Sequence, residues 1–325
     1  VDGFIRPGYR HFTEEAATME ESMAMLCEAP SSESLTNAQS AFGDLVEAWS
    51  RIEIVRVGPV LDDNRFERIL FFPDRKGTGL KQVQAALAKP DPSVTSVETL
   101  KGKSVAMQGL GAFEYVIYGS YPESITSQKQ SFRCRYGLAI ARNVDTIAGE
   151  LDAAWSAADG IQQQWKNPSA DNPSYRDMAE AMQALIGLQV HGAEMVRDQR
   201  IKPFFRGHDA KRSPKAALFW RSGNTVRMIE GNIAGLETLW KVSDMGTLLA
   251  PDARPQAASI LFRYKSAALA TSRLPQPTAA ALGDEAVLKR LDYIQAALKD
   301  AIDHINADIG AAVGLEAGFS FADGD

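Results

Sequence analysis

Ile5, Tyr9, Phe12, Ala16, Met19, Met23 and Leu26 are separated by alternating steps of four and three residues. On a helix this spacing lays a single apolar seam along one side, the pattern of an inward-facing bundle helix. Leu35, Ala38, Phe42, Leu45, Trp49, Ile52 and Arg56 repeat it until Gly58-Pro59. A half-buried strand would alternate at period two, and no stretch of the chain does so strongly. Further seams run through Tyr175, Met178, Met182, Leu185 and Leu188, through Val226 to Trp240, through Ile260, Tyr264 and Ala268, and through Leu288 to Ile309. The predicted class is all-α, with two four-helix, up-down bundles packed side by side. Phe132 to Trp165 reads as one helix, roughly 50 Å long at 1.5 Å per residue, joining the bundles. At 325 residues two domains are expected, 1–125 and 126–325.

Composition narrows the partners. The net charge is −6 and the Lys and Arg residues are dispersed rather than clustered, which argues against a nucleic acid partner. No apolar run reaches the 18 or so residues of a transmembrane segment. The chain starts Val1-Asp2-Gly3 with no Met and no leader pattern, as expected after removal of a preceding segment. Two cysteines, Cys27 and Cys134, lie far apart and belong to no C-x-x-C motif, so a zinc knuckle is not expected and the sequence leaves open whether they pair.

The run Gly109 to Gly119, GLGAFEYVIYG, places one carboxylate, Glu114, among Val105, Phe113, Val116 and Ile117. A buried carboxylate is costly unless a cation, a donor or a proton meets it, so Glu114 either snorkels out to solvent, is held by a neighbouring Arg, or belongs to a site. Gly109 and Gly111 are poor helix residues that mark a kink or a close backbone approach beside it.

This run resembles the signature of imelysin-like proteins, G-x-H-x-x-E followed by an aromatic, apolar stretch ending in Gly. Gly109, Glu114 and Gly119 match, whereas Gly111 stands at the histidine position. The resemblance extends through AWSRIEIVRVGP (48–59), RILFFPDRKG (68–77), WRSGNTVRMIEGNIAGLETLW (220–240) and GFSFADGD (318–325). It implies a bacterial envelope protein, periplasmic or tethered as a lipoprotein, associated with iron uptake and with other envelope iron-uptake proteins as partners. The family is grouped with metallopeptidases, and the missing histidine points away from that chemistry, so no catalytic residue is assigned.

The resulting expectation is a ligand, iron or another metal complex, in a cleft between two helical domains. Glu53 and Glu114 are the candidate metal ligands, because carboxylates suit a hard divalent cation. Trp49, Glu53 and Arg56 sit at i, i+4 and i+7, so the Glu and Arg share the helix face that Trp49 buries. Arg56 is then an ion-pair or ligand contact. Arg68 is expected over the site as an anion-binding group. Arg221 and Ser222 open a helix whose N-H groups favour an anion, with Ser222 also a reasonable N-cap. His191 and Glu194 form an H-x-x-E outside the signature block, and His11 and Glu14 form another near the start of the chain. The alternatives are a metallopeptidase of the imelysin type, and a scaffold for a peptide or protein segment in which Phe71, Phe72 and Trp220 are exposed anchors.

Overall fold

The computed structural model describes residues 1–314, and the GFSFADGD block lies outside them. Every regular element among the described residues is helical. The first group comprises α1 (Ile5–Glu28), α2 (Ser32–Ile52), α3 (Arg65–Ile69), α4 (Thr78–Ala88), α5 (Val97–Leu100), α6 (Leu110–Tyr118), α7 (Phe132–Ser156) and α8 (Ile161–Lys166). The second comprises α9 (Met178–Met195), α10 (Thr225–Ser243), α11 (Arg254–Thr271), α12 (Glu285–His304) and the short α13 (Ala311–Val313). All seven seam residues of α1 are buried. Ser31 caps α2, its hydroxyl accepting from the Ser34 N-H while the Ser34 hydroxyl accepts from the Ser31 N-H.

Helix α1 packs on α2 and α7, and α6 lies against α2 and α7. Helices α9, α10, α11 and α12 form the second group, and α2 meets α10 along the join. A division at residue 125 therefore separates α7 from the helices it packs on. Cys27 and Cys134 form a disulfide that ties the end of α1 to the start of α7, settling the pairing the sequence left open.

Several sequence expectations need correction. The helix expected to run to Trp165 stops at Ser156, because Ala157 leaves helical geometry (ψ 130°) and Gly160 is extended. Its 25 residues span about 38 Å at 1.5 Å per residue. The chain then doubles back so that Trp165 meets Trp155 with ring centroids 6.2 Å apart. Helix α2 ends at Ile52 rather than at Gly58, and buried Ile54 and Val55 follow in non-helical backbone. Arg56 consequently leaves the face of Trp49. The expected α9 seam holds at Leu188 and at Tyr175 just ahead of the helix, both buried, but Ala181, Ile186, Gln189 and Val190 also face inward and Met178 is exposed. Ser96 caps the single-turn α5, its hydroxyl accepting from the Thr99 N-H.

Candidate functional site

Helix α6 is gripped at both ends. A Cβ on Gly109 would sit 2.2 Å from the Ile69 carbonyl oxygen and 2.4 Å from that of Arg68. Only glycine lets the two backbones approach so closely, which explains the first residue of the signature. Ahead of it, the Tyr136 hydroxyl donates to the Met107 carbonyl (2.9 Å) and Asn143 Nδ2 donates to that of Gln108 (3.0 Å). At the other end, the buried Arg133 donates from Nε to the Val116 carbonyl (2.6 Å) and from Nη2 to that of Tyr115 (3.0 Å). The Tyr115 carbonyl also accepts from the Gly119 N-H (2.9 Å), so Arg133 adds a second donor there, and a cation at that end complements the helix dipole.

Glu114 projects from this fixed helix and is 4% exposed. Its Oε1 accepts from the Arg221 N-H (3.1 Å), the Ser222 N-H (2.9 Å) and the Ser222 hydroxyl (2.9 Å). Oε2 accepts no hydrogen bond among the described residues and lies 4.0 Å from Arg221 Nη1. Burial pushes the carboxyl above its ordinary value, against the opposing pull of the Ser222 and Arg221 groups. Burial and the nearby Glu114 charge push the Tyr118 phenol up to about 12.

The donor loop is itself conformationally unusual. Phe219 is left-handed (φ 57°), which a bulky side chain tolerates at a cost of about 1–3 kcal/mol only where its surroundings hold it. Here its ring is buried edge-on against Phe42, at 5.4 Å, and Thr225 Oγ1 donates to the Leu218 carbonyl at 2.6 Å.

Glu114 borders a cleft of about 810 Å³. Phe71, Phe72, Tyr115 and Trp220 supply aromatic walls, and Arg75, Lys202, Arg206, Lys215 and Arg221 supply positive charge against Asp74, Glu114 and Asp198. The acids are already engaged. Asp74 accepts from the Thr78 and Leu80 N-H groups at the start of α4 (2.8 and 3.1 Å). Asp198 is paired with Arg197 and Lys202. Arg206 and Lys215, by contrast, meet no carboxylate among the described residues; Lys215 lies 5.4 Å from the Trp220 ring centroid. The Arg221 guanidinium lies 4.5 Å from the Trp220 centroid and 5.2 Å from that of Tyr115. Such a surface attracts an anion with a flat or apolar body.

The sequence-derived candidates divide accordingly. Glu114, Gly111 and Arg221 border the cleft, and Ser222 holds Glu114 rather than capping α10, whose N-cap is Asn224. The anion expected at the Arg221 and Ser222 N-H groups is Glu114 itself. Glu53 is fully buried elsewhere, with Arg200 Nη2 at 2.8 Å and Asn232 Nδ2 at 2.6 Å, and does not line the cleft. Pairing with Arg200 replaces its expected role beside Glu114. Arg56 lies 4.1 Å over the Phe66 ring and borders a separate cavity. Arg68 donates to Gln108 Oε1 (3.0 Å) and Asn143 Oδ1 (2.7 Å), so it positions the approach to α6 instead of meeting an anion.

A Cβ on Gly111 would meet nothing within 4 Å, so the histidine position of the signature opens into free space. Among the described residues no three His, Cys, Asp or Glu side chains gather as a metal site. With Oε1 of Glu114 filled by three donors and no second ligand beside it, this donor set does not fit a bare resident metal ion. Sequence reasoning missed Lys202, Arg206 and Lys215 as cleft residues and Arg133 as the anchor of α6. The only signal was the basic character of the loop near Gly207 to Pro214, and nothing local distinguishes Arg133.

These features coincide with those of a known class of all-α proteins. The imelysin family model, a peptidase grouping, matches residues 5–305, and the chain belongs to this family. Two solved structures share the fold. An imelysin-like protein from Psychrobacter arcticum superposes with a TM-score of 0.78 at 16% identity, covering 98% of this chain and 94% of that one. An iron-regulated protein A precursor from Parabacteroides distasonis superposes with a TM-score of 0.70 at 12% identity, covering 94% and 92%. No curated protein sequence matches this chain. Among the described residues no helix is long and apolar enough to cross a membrane.

Proposed function

We propose that this chain is a non-enzymatic, ligand-binding member of the imelysin family, holding iron as an anionic complex in the Glu114 cleft. The observation that carries this reading is the pair of cations, Arg206 and Lys215, that face an aromatic-walled cleft without a carboxylate partner among the described residues. A bare cation would be repelled by them. A chelate brings its own donors for the metal and presents negative charge outward, which suits both the cations and the aromatic walls. The description of one structural neighbour as an iron-regulated protein supports iron as cargo. The Cys27 to Cys134 disulfide suits an oxidising compartment such as the periplasm, with lipid anchoring and envelope iron-uptake partners inherited from the family resemblance.

The test is calorimetric titration with ferric citrate, iron-free citrate, ferrous sulfate and zinc sulfate. Saturable binding of ferric citrate, tighter than either salt and lost in Arg206→Glu/Lys215→Glu, supports the proposal. Equal or tighter binding of the bare salts, or no binding of the chelate, overturns it. Chelator-sensitive cleavage of unfolded protein would instead favour a metallopeptidase.

A further inference from the structure

A second cavity, of about 630 Å³, lies on the other side of the turn Val196–Ile201 from the Glu114 cleft. That turn is π-helical, and its Asp198 and Gln199 line both spaces. The second cavity contains an H-x-x-E pair that the cleft does not use. His191 Nδ1 lies 3.0 Å from Glu194 Oε2. A carboxylate only accepts, so this contact places the proton of the neutral ring on Nδ1 and leaves Nε2 as a lone-pair acceptor.

Nε2 has no hydrogen-bond partner among the described residues. It lies 3.8 Å from where a Cβ on Gly187 would sit, and that Cβ would meet nothing but the His191 ring within 4 Å. The absence of a side chain at Gly187 thus keeps space open beside the acceptor.

The charges around this cavity differ from those of the cleft. Arg176 donates to Glu180, and Arg197 donates to Asp198 through Nε and Nη2 at 2.9 and 2.7 Å. The rest of the wall includes Ile54, Val57, Tyr175, Leu188 and Met195. Arg56 also lines the cavity, as does Glu194, so three arginines stand against three carboxylates and give little net attraction for an ion, while the apolar wall favours an uncharged body.

We infer that this cavity is a second ligand site, taking a neutral, largely apolar molecule whose hydroxyl donates a hydrogen bond to His191 Nε2. The class is that of phenols and apolar alcohols, distinct from the anion of the cleft. The inference does not depend on the cleft's function.

The experiment uses the 15N-labelled chain at pH 8, where the chain's four histidines are few enough to resolve by long-range proton-nitrogen correlation. His191 is assigned with His191→Leu. The probes are 4-ethylphenol, its O-methylated counterpart 4-ethylanisole, and 4-ethylbenzoate. Titration with 4-ethylphenol is expected to shift the His191 Nε2 signal saturably, with 4-ethylanisole and 4-ethylbenzoate each binding at least about tenfold more weakly. Gly187→Leu fills the space beside the ring without removing a polar group and is expected to abolish the shift while the protein melts normally. His191→Leu is expected to weaken 4-ethylphenol, read by calorimetry, to the level of 4-ethylanisole. Absence of a saturable His191 shift, equal affinity for phenol and anisole, tighter binding of the benzoate, or an unchanged shift in Gly187→Leu would each overturn the inference.

Discussion

Two glutamates of the first helical group are buried against the second, and they are met differently. Glu53 faces a full guanidinium, Arg200, together with the Asn232 amide, and both of its oxygens are engaged. Glu114 faces two backbone N-H groups and a hydroxyl on one oxygen, while its other oxygen has only the Arg221 guanidinium at 4.0 Å and a cleft beside it. Burial alone therefore does not identify a functional carboxylate. The Glu53 carboxylate is satisfied inside its own cluster, where Arg200 Nη1 and Asn232 Oδ1 make no hydrogen bond among the described residues. The Glu114 cluster leaves a cation, Arg221, at the edge of open space.

The largest effect is expected where the pairing is closed. Arg200→Ala leaves Glu53 buried without its cation and should cost about 3–5 kcal/mol of stability, read from urea unfolding. Loss of less than about 1 kcal/mol would break the contrast by making Glu53 as adaptable as a surface acid. Ser222→Ala removes one donor from Glu114 and keeps both N-H groups, so a smaller cost of about 1.5–3 kcal/mol is expected.

The Glu114 cluster should also carry a pH dependence. The folded-state value of Glu114 is raised by burial above its ordinary 4.5. The folded protein then holds that proton more tightly than the unfolded chain does. Its contribution to stability is fully present below the unfolded value and is lost as pH rises through the folded one. Measured by urea midpoints at successive pH values upward from about 4, wild type should lose stability relative to Glu114→Gln. A difference that stays constant, or moves the opposite way, would contradict the assigned cause.

A smaller change is expected at Gly111. Its Cβ position is empty, so Gly111→His should fold with a stability change within about 1 kcal/mol. The new imidazole would stand one helical turn before Glu114 and should raise zinc affinity in calorimetry. Unchanged affinity would show that Glu114, filled by its donors, is not available to a metal even with a neighbouring ligand.

The contrast also marks what the sequence can reveal. The seams of α1 and α2 were legible because helical burial repeats locally, and Glu114 stood out as a charge in apolar company. The partners of the two glutamates were not legible, since Arg200 and Ser222 lie more than a hundred residues away and no local pattern points to them. Arg221 and Ser222 were recognisable as anion-binding groups, yet the anion was internal. The end of α7 was hidden for a related reason: Ile161 and Trp165 keep the helical spacing, and only the fold shows that Gly160 turns them back onto Trp155. Cleft cations such as Arg206 and Lys215 looked like an ordinary polar loop, because an unpaired charge is a property of the assembled surface.

The central claim is that the Arg221 cation, held beside Glu114 and between aromatic rings, helps draw an anionic ligand into the cleft. Arg221→Ala isolates it, since the backbone N-H that binds Glu114 is retained. The decisive measurement is the affinity of this variant for ferric citrate by calorimetry, alongside its melting temperature. The account predicts binding at least about tenfold weaker, equivalent to about 1.4 kcal/mol, with melting changed by no more than about 2 °C. Wild-type affinity in the variant would contradict it.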